Sequence, residues 1–139
     1  MSNSRRQWTD REIVSRRPAK NTLDPYRPWA MFVEPERTAA GVVEDVATVF
    51  LTNRECPFRC LMCDLWKNTL DDRVPTGAIP VQIRYAIEML PPAKHIKLYN
   101  SGNFFDAQAI PRCAGGVRSC PTLRKTGWTR FSPRAHPVS

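Results

Sequence analysis

The stretch "VATVFLTNRECPFRCLMC", Val46 to Cys63, joins an apolar segment directly to three closely spaced cysteines. Its first part, Val46–Thr52, is β-branched and apolar, carries no charge and lacks strict alternation of polar and apolar residues. This pattern predicts a strand that is buried on both faces, as in a parallel sheet. Cys56, Cys60 and Cys63, spaced C-x3-C-x2-C, would then lie in the loop that follows this strand.

A helix and a second strand are predicted downstream of the cysteines. Pro80 suits a first helical turn, and the apolar residues Ile83, Ile87 and Leu90 share one helical face. "HIKLYN", His95 to Asn100, has the composition of a second strand. The order strand, cysteine loop, helix, strand predicts one parallel βαβ unit of an α/β fold, and ligands bind at the carboxyl end of strands in such folds.

Two shorter elements are predicted upstream. Thr9 and Glu12 form a capping-box pattern at the start of a short helix over about residues 10–17. "WAMFVE", Trp29 to Glu34, has the composition of a strand. The arginines of the first 17 residues are more typical of a solvated face than of an RNA site.

Charge divides the 139-residue chain unevenly. Residues 1–111 hold 15 Lys and Arg and all 13 Asp and Glu, whereas residues 112–139 hold six basic residues and no acidic one. This last segment has no apolar periodicity and is rich in Arg, Pro, Ser and Gly, so it is predicted to be a disordered tail. Its abrupt change of composition suggests out-of-frame translation, in which case Cys113 and Cys120 are accidental; the alternative is a genuine regulatory or RNA-binding tail.

No secretory signal or membrane span is expected. The first 17 residues are basic but have no apolar block behind them, and no apolar run approaches the roughly 18 residues needed to cross a bilayer. We therefore expect a cytoplasmic location, in which clustered cysteines bind metal or react more often than they form disulfides.

The three cysteines admit several interpretations. A structural zinc site usually has a second pair of ligands, which this stretch lacks. Cys60 and Cys63 alone could form a redox pair, but Cys56 would then have no role. An iron–sulfur cluster of the 4Fe-4S type normally takes four thiolates, so three would leave one iron with an open coordination position, as in catalytic metal sites.

The wider pattern resembles the radical S-adenosylmethionine (radical SAM) superfamily. It consists of "FLTNRECPFRCLMCDLWKNTL" (residues 50–70), "GAIP" (77–80), "IKLYNSGNFFD" (96–106) and "AIP" (109–111). This combination is most similar to the branch that contains the archaeosine-biosynthesis radical SAM protein and its bacterial relatives. The resemblance covers roughly residues 25–111 and implies an N-terminal part of a partial (β/α) barrel of about six βα units.

The resemblance implies a site and a chemistry. Cys56, Cys60 and Cys63 would hold three irons of a 4Fe-4S cluster, and S-adenosylmethionine would bind the fourth. Reductive cleavage of the cofactor would give a 5′-deoxyadenosyl radical, with a reductant protein as electron donor and a tRNA or nucleoside as substrate. By the same resemblance, the cofactor-binding positions are Met62, where many members have an aromatic residue, and the turn Asn100, Ser101 and Gly102.

The expected organisation is therefore an N-terminal extension over residues 1–40, a partial radical SAM core over 41–111 and the basic tail over 112–139. Such a core would be C-terminally truncated, which would impair catalysis because most strands of the barrel are missing. The competing interpretation is a non-catalytic module that binds an iron–sulfur cluster or zinc. No catalytic residue is assigned by the sequence.

Overall fold

The computed structural model describes residues 6–103, 106–111 and 130–135. Its elements are α1 (Asp10–Ser15), β1 (Ala30–Arg37), β2 (Val43–Phe50), a 3₁₀ helix (Leu65–Asn68), α2 (Ala78–Met89), β3 (His95–Asn100) and β4 (Arg130–Ala135). The strands form one mixed sheet in the order β1-β2-β3-β4, with β1 antiparallel to β2 and the other neighbours parallel. Within the described ranges, none of the helices has the length and apolar character required to cross a membrane.

β1 and β2 form a hairpin. The Thr38 N–H donates to the carbonyl of Val42 (2.8 Å), and Gly41 supplies the left-handed conformation that the turn needs (φ 78°). The residues from Val46 to Val49 are all buried, as the unbroken apolar pattern of this segment predicts. β2 is therefore an interior strand of the sheet.

α2 covers one face of the sheet. It begins after Gly77 (φ 86°) and has Pro80 in its first turn. Proline is tolerated there because backbone N–H groups in the first turn have no partner within the helix. Val49 of β2 and Leu98 of β3 belong to the same buried core as the helix. The other core residues are Leu51, Val74, Ala78, Ile79, Ile83, Ala86, Ile96, Ala109 and Ile110. Burial of each large aliphatic side chain contributes about 1.5–3 kcal/mol, so this face anchors the fold.

The N-terminal segment begins with α1 (Asp10–Ser15). The predicted capping box is present: the Glu12 N–H donates to the Thr9 hydroxyl, and the Glu12 carboxylate accepts from the Thr9 N–H. Farther along, the Asn21 N–H donates to the carbonyl of Lys67 (3.0 Å). This segment therefore lies against the region that follows the cysteines.

The predicted parallel βαβ arrangement is confirmed. β2 and β3 are parallel neighbours, α2 lies between them in the chain, and the upstream strand is β1. The first helix is shorter than expected, since it ends at Ser15 rather than near residue 17. A small mixed α/β fold with an open sheet is thus established for the described residues, whereas the radical SAM barrel stays a prediction.

The tail differs in part from its prediction. Arg130–Ala135 is a strand that pairs with β3, with Ala135 opposite Asn100, instead of being unstructured. Composition could not indicate this pairing, because a parallel edge strand needs only backbone hydrogen bonds from its neighbour. Residues 112–129 and 136–139, which include Cys113 and Cys120, lie outside the described residues, as do Phe104 and Phe105.

Candidate three-cysteine site

The cysteine loop is anchored where it leaves β2. The Thr52 N–H donates to the side-chain oxygen of Gln82, and the Gln82 amide nitrogen donates back to the Thr52 carbonyl, both at 2.8 Å. The same nitrogen also donates to the carbonyl of Pro25 (2.7 Å). Gln82 is fully buried, so these bonds satisfy backbone groups that no strand partner reaches.

A second connection joins this loop to the loop after β3. The Asn53 amide nitrogen donates to the carbonyls of Arg54 (2.7 Å) and Ser101 (3.3 Å), and the Ser101 N–H donates to the Asn53 side-chain oxygen (3.1 Å). Because β2 and β3 are parallel, their carboxyl ends meet at one edge of the sheet. Asn53 fixes the two loops that emerge there side by side.

Gly102 allows the loop after β3 to pass close to Cys56. It has a positive φ of 130°, and a Cβ placed there would lie 3.3 Å from the Cys56 Cβ and 3.6 Å from its Sγ. A larger residue would therefore be strained and would press on Cys56. This close approach gives a physical reason for glycine at position 102.

The two loops surround one cavity of about 590 Å³. The three cysteines all line it, as do the predicted cofactor-binding residues Met62, Ser101 and Gly102; its other lining residues are Arg17, Glu55, Phe58, Leu61, Asp64, Leu65, Trp66 and Thr69. Cys56 is half-buried, Cys60 and Cys63 are exposed, and none of the three forms a disulfide. The structure thus brings six of the seven predicted site residues around one cavity.

Asn100 is the exception. It is buried, lines a neighbouring cavity and belongs to the buried polar residues rather than to the wall around the cysteines. Met62 also lines the cysteine cavity, but 92% of its surface is exposed, so the surrounding protein does not hold its side chain in place.

The three cysteine thiols are the candidate ligands at this cavity. Nowhere in residues 6–103 and 106–111 do three or more His, Cys, Asp or Glu side chains converge as the ligands of one metal ion do. The ligands of an iron–sulfur cube each bind a different iron, so they need to surround a common space rather than to converge on one point. Three thiols around one cavity meet that requirement.

Glu55, which precedes Cys56, is the centre of an ion-pair group. Its carboxylate binds Arg17 (2.7 Å), Lys20 (2.6 Å) and Arg59 (3.0 Å), and its side chain is 14% exposed. Burial raises the pKa of Glu55, but hydrogen bonds from Lys20 and Arg17 and the nearby charge of Arg59 outweigh it and leave the pKa below its ordinary value. The carboxylate is therefore ionised near neutral pH.

This ion-pair group connects the N-terminal segment to the cysteine loop. The Arg17 guanidinium lies 4.8 Å from the centre of the Trp66 ring, and its side chain is 11% exposed. Arg59 also donates to the carbonyl of Cys56 (2.7 Å), and Lys20 reaches Asp71 (2.6 Å). The prediction that Arg17 belongs to a solvated face is therefore wrong.

Sequence reasoning also missed Asn53, Glu55 and Gln82. Only Gln82 left a signal: it lies between Ile79 and Ile83 on the apolar face of α2, where a polar side chain needs a buried partner. Asn53 and Glu55 are ordinary loop residues in the sequence, and their partners are distant in the chain.

No protein-family model, curated protein or solved structure matches the chain. The residues themselves define a class: a small α/β protein with a three-cysteine cavity at the carboxyl end of parallel strands. The radical SAM resemblance and the cluster assignment remain proposals that stand on these residues alone.

Proposed function

We propose that the protein is a radical SAM protein that binds a 4Fe-4S cluster through Cys56, Cys60 and Cys63. The observation that carries this proposal is that all three cysteines and the loop of Ser101 and Gly102 line one cavity. When bound, the cluster would supply an electron to S-adenosylmethionine, whose cleavage gives methionine and a 5′-deoxyadenosyl radical. The substrate class is a nucleoside, free or within tRNA, and an unidentified reductant protein supplies the electron.

The chain's own residues have definable roles in this proposal. Asn53 and Gly102 hold the second loop against Cys56, and Arg59 binds the Cys56 carbonyl. Phe58, Leu61, Leu65 and Trp66 contribute apolar surface to the wall of the cavity. We place the protein in the cytoplasm, because three free thiols and an oxygen-sensitive cluster suit a reducing compartment.

Anaerobic reconstitution with iron and sulfide tests the proposal. We expect about four irons and four sulfides per chain, the content of one 4Fe-4S cube. Cys56→Ala, Cys60→Ala and Cys63→Ala should each lose the chromophore, because two thiolates under-ligate the cube. Cys113→Ser and Cys120→Ser are matched controls that should retain it.

The alternative function makes a different prediction in the same experiment. A non-catalytic zinc module would take up one zinc and no iron, and this result would reject the radical SAM proposal. Full iron content in Cys60→Ala would also reject the assigned ligand set. Cleavage of S-adenosylmethionine by the reduced, loaded protein would separate a catalytic from a non-catalytic cluster.

A further inference from the structure

A second cavity, of about 300 Å³, lies on the sheet face opposite α2. Val49 and Leu98 pack with α2, so the next residues along β2 and β3, Phe50 and Tyr99, point to the other face. The side chains used below all line this cavity: Trp29, Phe32, Glu34, Thr48, Phe50 and Tyr99. None of them is needed for the cluster assignment.

Four aromatic rings form the apolar wall of this cavity. Phe50 and Tyr99 are stacked, with centroids 5.0 Å apart and planes at 14°. Trp29 and Phe32 lie 4.9 and 5.9 Å from the Phe50 ring at tilted angles. Phe32 is 42% exposed, so part of its ring surface is open to a ligand. The faces of aromatic rings attract cations, which makes this wall suitable for a positively charged group.

Glu34 adds a carboxylate to the aromatic wall. It follows Phe32 by two residues on β1, so both side chains point to the same face of the sheet. Its carboxylate accepts a hydrogen bond from the Thr48 hydroxyl (3.3 Å) and keeps further acceptor positions. Lys97, on the same face, pairs with Glu36 instead, so within the described residues Glu34 has no cation of its own.

The cavity lies beside the edge of the described sheet. β1 is the first strand in the sheet order and pairs with β2. The outer edge of such a strand presents backbone N–H and C=O groups with which an extended peptide can pair. Every second side chain of an added strand lies on one face of the sheet, so a side chain beside Phe32 and Glu34 would reach the cavity.

We propose that this aromatic cavity binds the arginine side chain of an extended peptide that pairs with β1. A guanidinium group is planar and always charged, stacks on aromatic rings and donates two parallel hydrogen bonds to a carboxylate. The four rings and Glu34 offer both kinds of contact in one cavity. The proposal requires neither a cluster nor S-adenosylmethionine, so its outcome is independent of the proposed function.

Isothermal titration of the full-length chain with a blocked valine-arginine-valine peptide and its citrulline counterpart tests this site. Citrulline has nearly the same shape but no charge, so the arginine peptide should bind about tenfold more tightly, the scale of one lost charge-assisted hydrogen bond. Glu34→Gln should weaken binding of the arginine peptide by a similar factor and leave the citrulline peptide almost unchanged. Glu88→Gln, exposed on α2, alters the net charge equally and should retain the preference for arginine.

A second variant tests the aromatic wall. Phe32→Ala removes an exposed ring and should weaken binding of the arginine peptide about two- to fivefold, with an unchanged circular dichroism spectrum. Absence of binding by the parent, equal binding of the two peptides, or an unchanged preference for arginine in Glu34→Gln would overturn the proposal. Unchanged affinity of Phe32→Ala would count against it in the same way.

Competition and a shorter ligand test the class of the occupant. Adenosine and S-adenosylmethionine should not displace the arginine peptide, and displacement by either would assign the cavity to a nucleoside or cofactor and overturn the proposal. Arginine blocked at both ends, without flanking residues, should bind more weakly than the peptide because it forms fewer backbone hydrogen bonds with β1. Equal affinity of the two would overturn the pairing with β1.

Discussion

Glu55→Gln should destabilise the protein and loosen the cysteine loop. The substitution keeps the shape of the side chain but removes the charge that three cations share, at 2.6–3.0 Å. Breaking a well-buried ion pair costs about 3–5 kcal/mol, whereas an exposed pair contributes about 0–1 kcal/mol. Arg17 is 11% exposed, but Lys20 keeps Asp71 and Arg59 keeps the Cys56 carbonyl as partners. We therefore expect a loss of about 2 kcal/mol.

Urea denaturation measures this loss, and alkylation of Cys56 measures the local effect. Asp64→Asn is the matched control, because Asp64 is 72% exposed and its ion pair is a local one, with Lys67 at 3.0 Å. It should change stability by less than about 0.5 kcal/mol. Equal stability of Glu55→Gln and the parent, with unchanged Cys56 alkylation, would refute the argument that this ion-pair group holds the loop.

The same pair of proteins predicts a pH dependence. The pKa of Glu55 is lowered in the folded state from an ordinary value of 4.5. A depressed carboxyl pKa stabilises the folded protein above the unfolded pKa and ceases to do so as the pH falls through the folded value. The advantage of the parent over Glu55→Gln should thus be complete above about pH 5 and shrink below about pH 4. An advantage that persists undiminished at pH 2 would contradict this assignment.

Two further substitutions test the loop anchors. Gly102→Ala should cost about 1–3 kcal/mol and alter Cys56 alkylation, because alanine is strained at φ 130° and its Cβ presses on Cys56. Gly41→Ala is the control: a Cβ at position 41 has no neighbouring atom within 4 Å, so the alkylation rate of Cys56 should not change. Gln82→Leu should cost about 2–4 kcal/mol by leaving the Thr52 backbone groups unpaired, and denaturation midpoints that match the parent would count against this anchor.

The sequence predicts the elements of this fold because their signals are local. The unbroken apolar character of Val46–Thr52 predicts burial, and the helical spacing of Ile83, Ile87 and Leu90 predicts the face that packs on the sheet. The order of these elements then predicts parallel strands and the edge at which the cysteines lie. The pairing of Arg130–Ala135 has no such signal, since it depends on the neighbouring strand.

The site was predictable only where residue type and spacing carry the chemistry. Three cysteines within eight residues indicate a shared role through their spacing alone. Arg17 and Glu55 are 38 residues apart, and nothing in either local pattern indicates that they meet. Asn100 belongs to the predicted set, but its burial outside the cysteine cavity is a tertiary feature that its local pattern does not indicate.

The three cysteines are held in place to different degrees, and this difference affects how a ligand would bind. Cys56 is held through the Arg59 bond, the packing of Gly102 and the ion pairs of the adjacent Glu55. Cys60 and Cys63 are exposed at the tip of the loop, where the Cys63 N–H donates to the Cys60 carbonyl in a turn. A loop with one fixed thiol and two exposed ones has part of its geometry in place, which would lower the ordering cost of binding the proposed cluster. The N-terminal segment, which supplies Arg17 and Lys20, is therefore a structural part of the candidate site rather than an appendage to it.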